Sequence, residues 1–502
     1  MIGYRALARG LISGSLLCFV HAAALAQTEV TPALEVVGQP DEPRGDQAAA
    51  KVTKPPVSPS IDIRRLYSSQ GIELLYLHAP GLPMVDLAID IDAGSRWDPM
   101  GHEGLAAFTG DLVGKGLAQR DDRPAMSEQQ VREAFAKLAI QRSVSVDRDR
   151  TSLRFRFLTT PETYGASRDL IARMIAEPSF SPEVLSRDRG LSIAGLQESL
   201  TRPQTLATRS LWAAMYPDHP YGRASTEASL GSLTRALVHA FHSRFWRPER
   251  MTATIVGDVS KAEALSLLNS VTALIGRAPA DATAPAKAEG AGAASSQAVQ
   301  WLDLLPSVGP GQPGQKTIAH PAKQSHIWLG APMMSRRDRD DYFPMLVANH
   351  ILGGGGFTAR LTTEVREKRG LSYSVFSAFQ PLAQTGPFLI GLQTQRERAN
   401  EALAVVQATL KEFVEKGPSP EELEAARKNL MGGFALRLDS NRKLLDNLAQ
   451  IGFYRLPLDY LDRWSARVEA VNAEEIQDVL RRRLSPSSLS IVVVGEPTTK
   501  SQ

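Results

Sequence analysis

Apolar and polar positions follow one another along the chain in an order that occurs twice. Ile72-Glu-Leu-Leu-Tyr-Leu77 and Met84-Val-Asp-Leu-Ala-Ile-Asp-Ile91 are apolar runs of strand length. The turn-forming link His78-Ala-Pro-Gly-Leu-Pro predicts that they pair with each other. A loop, Gly94-Ser-Arg-Trp-Asp-Pro-Met-Gly, leads to a helical pattern from Gly104. Ser127–Leu138 sets Val131, Phe135 and Leu138 on one helical face. Ser143-Val-Ser-Val and Ser152-Leu-Arg-Phe-Arg-Phe-Leu158 alternate with period two and predict a hairpin. Helical patterns run from Pro161 to about Phe245, and Met251–Gly257 reads as a closing strand.

Beyond residue 315 the order begins again. A strand, Ser325–Gly330, is followed by a helix from about Asp341 to Leu352. Then come a hairpin (Tyr373 to Gln380, Pro387 to Gln393), more helices and a last strand, Leu489-Ser-Ile-Val-Val-Val-Gly495. Ser181-Pro-Glu183 matches Ser419-Pro-Glu421, Val256-Gly257-Asp258 matches Val494-Gly495-Glu496, and Gly195 falls on Gly433, all at an offset of 238. Several matches at one offset predict a duplicated domain of roughly 210 residues. The expected class is α+β: two duplicated domains, each a mostly antiparallel sheet with helices packed on it. The boundaries read as 61–275 and 316–499, joined by a linker at 276–315 rich in Ala, Gly, Pro and Ser.

The N-terminus changes the address rather than the fold. Arg5 and Arg9 precede a short apolar run, Leu11–Val20, and Ala24-Leu-Ala26 fits a small-residue cleavage site. Residues 1–26 therefore read as a secretory signal peptide, implying export, to the periplasm in a Gram-negative bacterium. The run is too short to span a membrane, and no other stretch is long enough. Residues 27–60, with QPDEPRGDQ and KPPVSPS, read as a flexible lead-in. Losing Arg5 and Arg9 takes the 57 basic residues to 55, against 54 acidic ones, so nothing electrostatic points to nucleic acid. Cys18, the single cysteine, leaves with the signal, which excludes disulfides, thiol catalysis and cysteine metal ligation.

Two stretches carry candidate chemistry. Ile351–Phe379 opens with Gly353, Gly354, Gly355 and Gly356, a run that permits close approach of chain or ligand. A helix is expected from Thr358 to Lys368, stopped by Gly370, then a strand with Tyr373, Val375, Ser377 and Phe379 on one face. Arg366 and Tyr373 flank the stop. A guanidinium and a phenol can both donate to one carbonyl oxygen. Equally, Arg suits a helix C-terminus and Tyr suits a strand.

The other stretch is Gly94–Gly116, GSRWDPMGHEGLAAFTGDLVGKG. It resembles the insulinase/pitrilysin family of zinc metallopeptidases. Members carry a glycine-serine-arginine loop, glycine-leucine-alanine, a helix bearing H-x-x-E-H and a lysine-glycine. Two His four apart on one helical face bind zinc, the Glu activates water, and a distant Glu completes the site. Aligned on Gly104-Leu-Ala, Ala107 and Asp111 stand at the His positions, Gly110 at the Glu position, and Lys115-Gly116 is kept. Counting back from Arg202-Pro203 puts Gly195 at the distant ligand. Only Asp111 of these can bind metal, so no cofactor is expected in this chain. His239-Ala-Phe-His242, His102 and His219 form no replacement set, and His219-Pro-Tyr-Gly222 reads as a structural loop.

The resemblance extends over about residues 61–499 and implies two domains facing each other as a clamshell. It also implies that Arg366 and Tyr373 bind the substrate carbonyl near the scissile bond, with Gly353–Gly356 beside them. Some members, the mitochondrial processing peptidase among them, divide the work between two chains. This sequence resembles the zinc-less one. The expected partners are a zinc-bearing homologous subunit with H-x-x-E-H and an unfolded peptide substrate. The alternative is an inert scaffold or peptide-binding protein of the same fold.

Overall fold

The computed structural model describes residues 61–120, 123–275 and 299–495. The signal peptide, the lead-in and most of the linker of the sequence reading lie outside them.

The first domain begins with strands β1 (Arg64–Tyr67), β2 (Glu73–His78) and β3 (Met84–Ile91), then helices α1 (Leu105–Leu112) and α2 (Glu128–Lys137). A hairpin of β4 (Gln141–Val146) and β5 (Thr151–Leu158) follows. Next come α3 (Pro161–Ala176), α4 (Pro182–Ser199), α5 (Pro203–Met215), α6 (Glu227–Gly231), α7 (Arg235–Phe245), β6 (Met251–Gly257) and α8 (Lys261–Ile275). The second domain runs β7 (Gly314–Ile318), β8 (Gln324–Met334), α9 (Arg339–Asn349), β9 (Val375–Phe379) and β10 (Gly386–Gln395). It ends with α10 (Ala399–Lys416), α11 (Pro420–Phe434), α12 (Asn441–Phe453), α13 (Tyr460–Ala470), α14 (Ala473–Arg483) and β11 (Ser490–Val494).

Strand order is β1-β2-β6-β3-β5-β4 in the first sheet and β7-β11-β8-β10-β9 in the second. Apart from the added edge strand β1, the orders superimpose, each with one parallel pair (β2 with β6, β7 with β11) and otherwise antiparallel neighbours. The duplication is thus a property of topology as well as sequence. The two Ser-Pro-Glu matches mark corresponding helix starts, α4 and α11. Proline stands at the first helical turn of both, and Ser419 with Glu422 forms a reciprocal cap on α11.

One pairing differs from expectation. β2 and β3 are separated by β6, which is parallel to β2 and antiparallel to β3. The link between them, residues 79–83, carries Pro80 and Pro83 and cannot close a tight hairpin; it spans the end of β6, where Ala79 N–H donates to Gly257 O at 3.0 Å. β1 and α8 are further elements that the apolar pattern did not indicate. β7 starts inside the predicted linker, and Trp301, Leu302 and Leu305 pack on the first core.

Each domain has its own core, and two smaller cores join them. Leu445, Leu448 and Ala449 of α12 pack on Leu75, Ala88 and Val256 of the first sheet. Ala207, Leu211 and Met215 of α5 pack on Trp328, Leu389 and Val492 of the second. α5 and α12 start 238 residues apart, so the domains exchange equivalent helices, each covering the other's sheet. Polar contacts reinforce the exchange. Buried Asp149, in the β4–β5 turn, accepts from Arg96, Tyr221 Oη, Tyr454 Oη (2.9 Å) and Ala383 N–H (2.8 Å). His219 Nδ1 accepts from Tyr221 N–H, so its Nε2–H donates to Gln384 Oε1 at 3.1 Å. The His219-Pro-Tyr-Gly222 loop is a clasp between domains.

Asp149→Ala leaves the buried Arg96 guanidinium with Asp92 as its remaining carboxylate and strips Tyr221 and Tyr454 of their acceptor, and removing one member of a buried pair costs about 3–5 kcal/mol. The expected outcome in urea denaturation is a loss of that size, with both domains unfolding in one transition; a loss under about 1 kcal/mol would show that Asp149 does not hold the halves together.

Candidate functional site

The degenerate zinc frame folds as a frame. Asp98 accepts from Gly104 N–H (2.8 Å) and Ala106 N–H (2.7 Å), which fixes the start of α1. Leu105, Phe108 and Leu112 turn into the core. Ala107, Gly110 and Asp111 of α1 meet Gly195 of α4 in the wall of one cavity of about 370 Å³. The structure therefore gathers all four sequence-predicted positions. Of the four, only Asp111 carries a donor group, and Lys115 Nζ occupies it at 2.7 Å. The same ammonium reaches buried Asp188 of α4 at 2.9 Å. Burial pulls the Lys115 pKa down, but the pairs with Asp111 and Asp188 outweigh it and the net shift is upward, so the lysine stays charged.

The residues present do not fit zinc. A Cβ at Gly195 would meet open space, but one at Gly110 would lie 2.9 Å from Val146 Cγ2, where a working enzyme needs its glutamate. Among the described residues no group of three or more His, Cys, Asp or Glu side chains is arranged to hold a metal ion. The first-domain histidines His102, His239 and His242 are otherwise engaged. His242 Nε2 lies 2.9 Å from Ile175 O, and His239 packs edge-on to Phe180 at 4.9 Å. His102 Nδ1 meets Ser232 Oγ at 2.6 Å.

The second candidate segment departs from the expected helix and strand. α9 continues into a π-helical turn, His350–Gly354, and a second such turn, Thr362–Glu367, carries Arg366. Turns of this kind recur at functional sites. Leu361 and Val365 are both buried, as their spacing predicts. Tyr373 is not on the strand face. Ser372 Oγ donates to Ser374 O (2.7 Å) and Gln393 O (2.6 Å), and pairing with β10 starts only at Val375. Freed from the ladder, Tyr373 is 84% exposed.

That displacement sets Tyr373 against Arg366. The Arg366 guanidinium carbon lies 4.7 Å from the Tyr373 ring centroid and 4.9 Å from that of Phe357, so the cation is held between two exposed aromatic rings. Among the described residues no carboxylate pairs with it. Phe357 was missed at the sequence level, although an aromatic directly after four glycines was the available signal.

The glycines divide by role. A Cβ at Gly353 would lie 2.4 Å from Ser377 N, and one at Gly355 2.6 Å from His350 O, so these glycines let the turn lie against β9 and against itself. Gly353 is buried there. Gly354 and Gly355 are half-buried, and Gly356, with φ at +69°, is exposed next to Phe357. Among the described residues, none of the second domain lines the 370 Å³ cavity. Arg366 and Tyr373 are brought to each other, and Ala107, Gly110, Asp111 and Gly195 to one another, but the two groups are not joined in one cavity.

A two-sheet α+β chain with a degenerate zinc frame in one half and an Arg/Tyr pair in the other defines a peptidase-like protein. Family models agree: residues 74–228 match "Insulinase (Peptidase family M16)" and residues 232–430 match "Peptidase M16 inactive domain". The chain belongs to the M16, or insulinase, family. It is 24% identical over 432 residues to an uncharacterized zinc protease of Mycobacterium tuberculosis, covering 84% of this chain and 91% of that protein. It is 22% identical over 438 residues to the non-peptidase homolog YmxG of Helicobacter pylori, covering 84% and 92%. The solved peptidase M16 inactive domain from Pseudomonas fluorescens superimposes with a TM-score of 0.77 at 28% identity, covering 88% of this chain and 99% of that one. The periplasmic protease PqqL of Escherichia coli shares the fold at a TM-score of 0.67 and 16% identity, with 92% of this chain but 49% of PqqL covered.

Two outcomes follow. Lys115→Met removes the charged donor that Asp111 and Asp188 share and should cost about 1.5–3 kcal/mol in chemical denaturation, with no gain or loss of bound zinc by elemental analysis. Burial, with Arg235 beside His239, holds His239 and His242 down to about 4, so the fold keeps them neutral. Their contribution is present above the unfolded value of about 6.5 and is lost as pH falls toward 4. Melting temperature should drop across that window, and His242→Gln should flatten the drop; an unchanged slope would contradict the assignment.

Proposed function

We propose that this chain is the non-catalytic, substrate-binding subunit of an exported two-chain zinc metalloendopeptidase. It supplies Arg366 and Tyr373 to a zinc site on a homologous partner that carries H-x-x-E-H. The observation that carries the reading is the half-buried Arg366 guanidinium, pre-positioned between the exposed rings of Tyr373 and Phe357 with no carboxylate among the described residues to neutralise it, in a chain whose own zinc frame is filled by a lysine. An oriented cation and a phenol cost little to reorganise when negative charge grows on a peptide carbonyl oxygen. The stacking rings restrict the guanidinium without consuming its N–H donors. The exposed tip, Gly356–Phe357, lies beside this pair as the surface offered to an extended peptide, and Gly353–Gly355 hold the tip in place.

Three further facts support the reading. The N-terminal residues read as an export signal. The H. pylori relative is named a non-peptidase homolog. The chain covers about half of PqqL, a length that accommodates two units of this fold. The zinc and the water it activates belong to the partner. This chain's part is to bind the peptide and hold the carbonyl oxygen.

The test is capture of the tagged chain from its native source, with the co-purifying protein sequenced and the eluate assayed on an unfolded peptide with and without chelator. A stoichiometric H-x-x-E-H partner and chelator-sensitive cleavage are expected. In that complex Arg366→Ala and Tyr373→Phe should each lower kcat by roughly 10²–10³-fold, the usual loss for one oxyanion donor, with a smaller change in KM. A homogeneous chain without cleavage would favour the inert scaffold.

A further inference from the structure

A second cavity, of about 180 Å³, opens on the second domain where α9 meets α13 and the turn before it. The rings of Tyr342, Phe343 and Tyr460 line it, in mutual contact with centroids 5.3, 5.9 and 6.4 Å apart. Around them stand four guanidiniums, Arg336, Arg339, Arg463 and Arg467, against two carboxylates, Asp340 and Asp459. Two of the four are committed. Arg463 pairs with Asp459 at 2.7 Å, and Arg336 donates to Gln450 at 3.0 Å while lying over Tyr342 and Tyr454. Arg467 lies 5.3 Å from the Phe343 centroid, and Arg339 spends one donor on Arg455 O. Among the described residues no carboxylate pairs with either.

We infer that this cavity is a binding site for a small aromatic carboxylate, its ring against Tyr342, Phe343 and Tyr460 and its carboxylate on Arg467 and Arg339. Each part of the ligand follows from a feature of the wall. A floor of three rings favours an aromatic guest in edge or offset contact. Forked guanidiniums match the two oxygens of a carboxylate. The excess of two positive charges disfavours a cation. The volume admits one ring with a short tail and falls below the ~300 Å³ at which drug-sized pockets begin. An inorganic anion would use the arginines but leave the aromatic floor without a partner. A core-packing role accounts for Phe343, which is buried, but not for unpaired Arg467 and Arg339 at the mouth, both exposed. The same chemistry comes from two sources, a free aromatic acid and the C-terminal aromatic residue of a peptide.

The test is calorimetric titration of the purified full chain with 3-phenylpropionate, its neutral amide, and a tripeptide ending in Phe with a free or an amidated C-terminus. Saturable binding of the carboxylates is expected with Kd of about 0.1–1 mM, near the range open to a ligand of this size. Arg467→Ala, on an exposed helix face, should weaken it roughly tenfold or more, and Arg467→Lys should recover only part, because the charge returns without the fork. Tighter binding of the tripeptide would assign a peptide terminus as the source, and tighter binding of the small acid a free metabolite. Equal binding of acid and amide, an unchanged titration in Arg467→Ala, or no heat up to about 10 mM would each overturn the inference. Neither Arg366 nor Tyr373 lines this cavity, so the result is independent of the peptidase-subunit reading.

Discussion

The carboxylate of Asp149 takes hydrogen bonds from Arg96 and Tyr221 of its own domain and from Tyr454 and Ala383 of the other, with none of its surface exposed. A buried ion of this kind is tolerated only when every lone pair is met, so all four donors must arrive together. Burial and the neighbouring Asp149 push both phenols well above the ordinary tyrosine range, which keeps them as donors at neutral pH. The exchange of α5 and α12 depends on the same geometry. The β4–β5 turn sits against residues 383 and 454, beside the exchanged helices. Two apolar seams join the domains, and the Asp149 cluster is the buried polar contact between them, with the His219–Gln384 bond beside it.

The first domain holds Ala107, Gly110, Asp111 and Gly195 around one cavity, without a set of side chains among the described residues that could bind zinc. The helix that would carry the ligands still starts at a capped Asp98 turn and still meets α4 across a cavity. Lys115 bridges Asp111 and Asp188, and Arg187 adds a second cation on Asp188 at 2.7 Å. Val146 crowds the position that a general base would need. Divergence of this sort preserves the scaffold because the frame residues also hold the domain's core.

Much of this was legible in the chain. The 238-residue offset gave the duplication, since Ser-Pro-Glu marks a helix start and Gly257 and Gly495 each close a strand at the same topological place. The β4–β5 and β9–β10 hairpins follow from period-two alternation and short links. The loss of ligands at Ala107, Gly110 and Gly195 needed only residue identity. Strand neighbours were less legible. β2 and β3 are close in sequence, yet β6 lies between them, because a strand's apolar pattern reports burial and not which edge it meets.

What the sequence determined by itself is what depends on short range: which segments are helix or strand, that the unit occurs twice, and that one half lacks the donors for zinc. What only the tertiary structure decided depends on groups far apart in the chain. Lys115 finds Asp188 73 residues away, and Asp149 finds Tyr454 305 residues away. Tyr373 leaves its strand because Ser372 bonds to Gln393 across the hairpin, and that step is what places its ring on Arg366. Periodicity encodes a local face, whereas a site is made where faces from distant segments are forced together by burial, and no local pattern records that meeting.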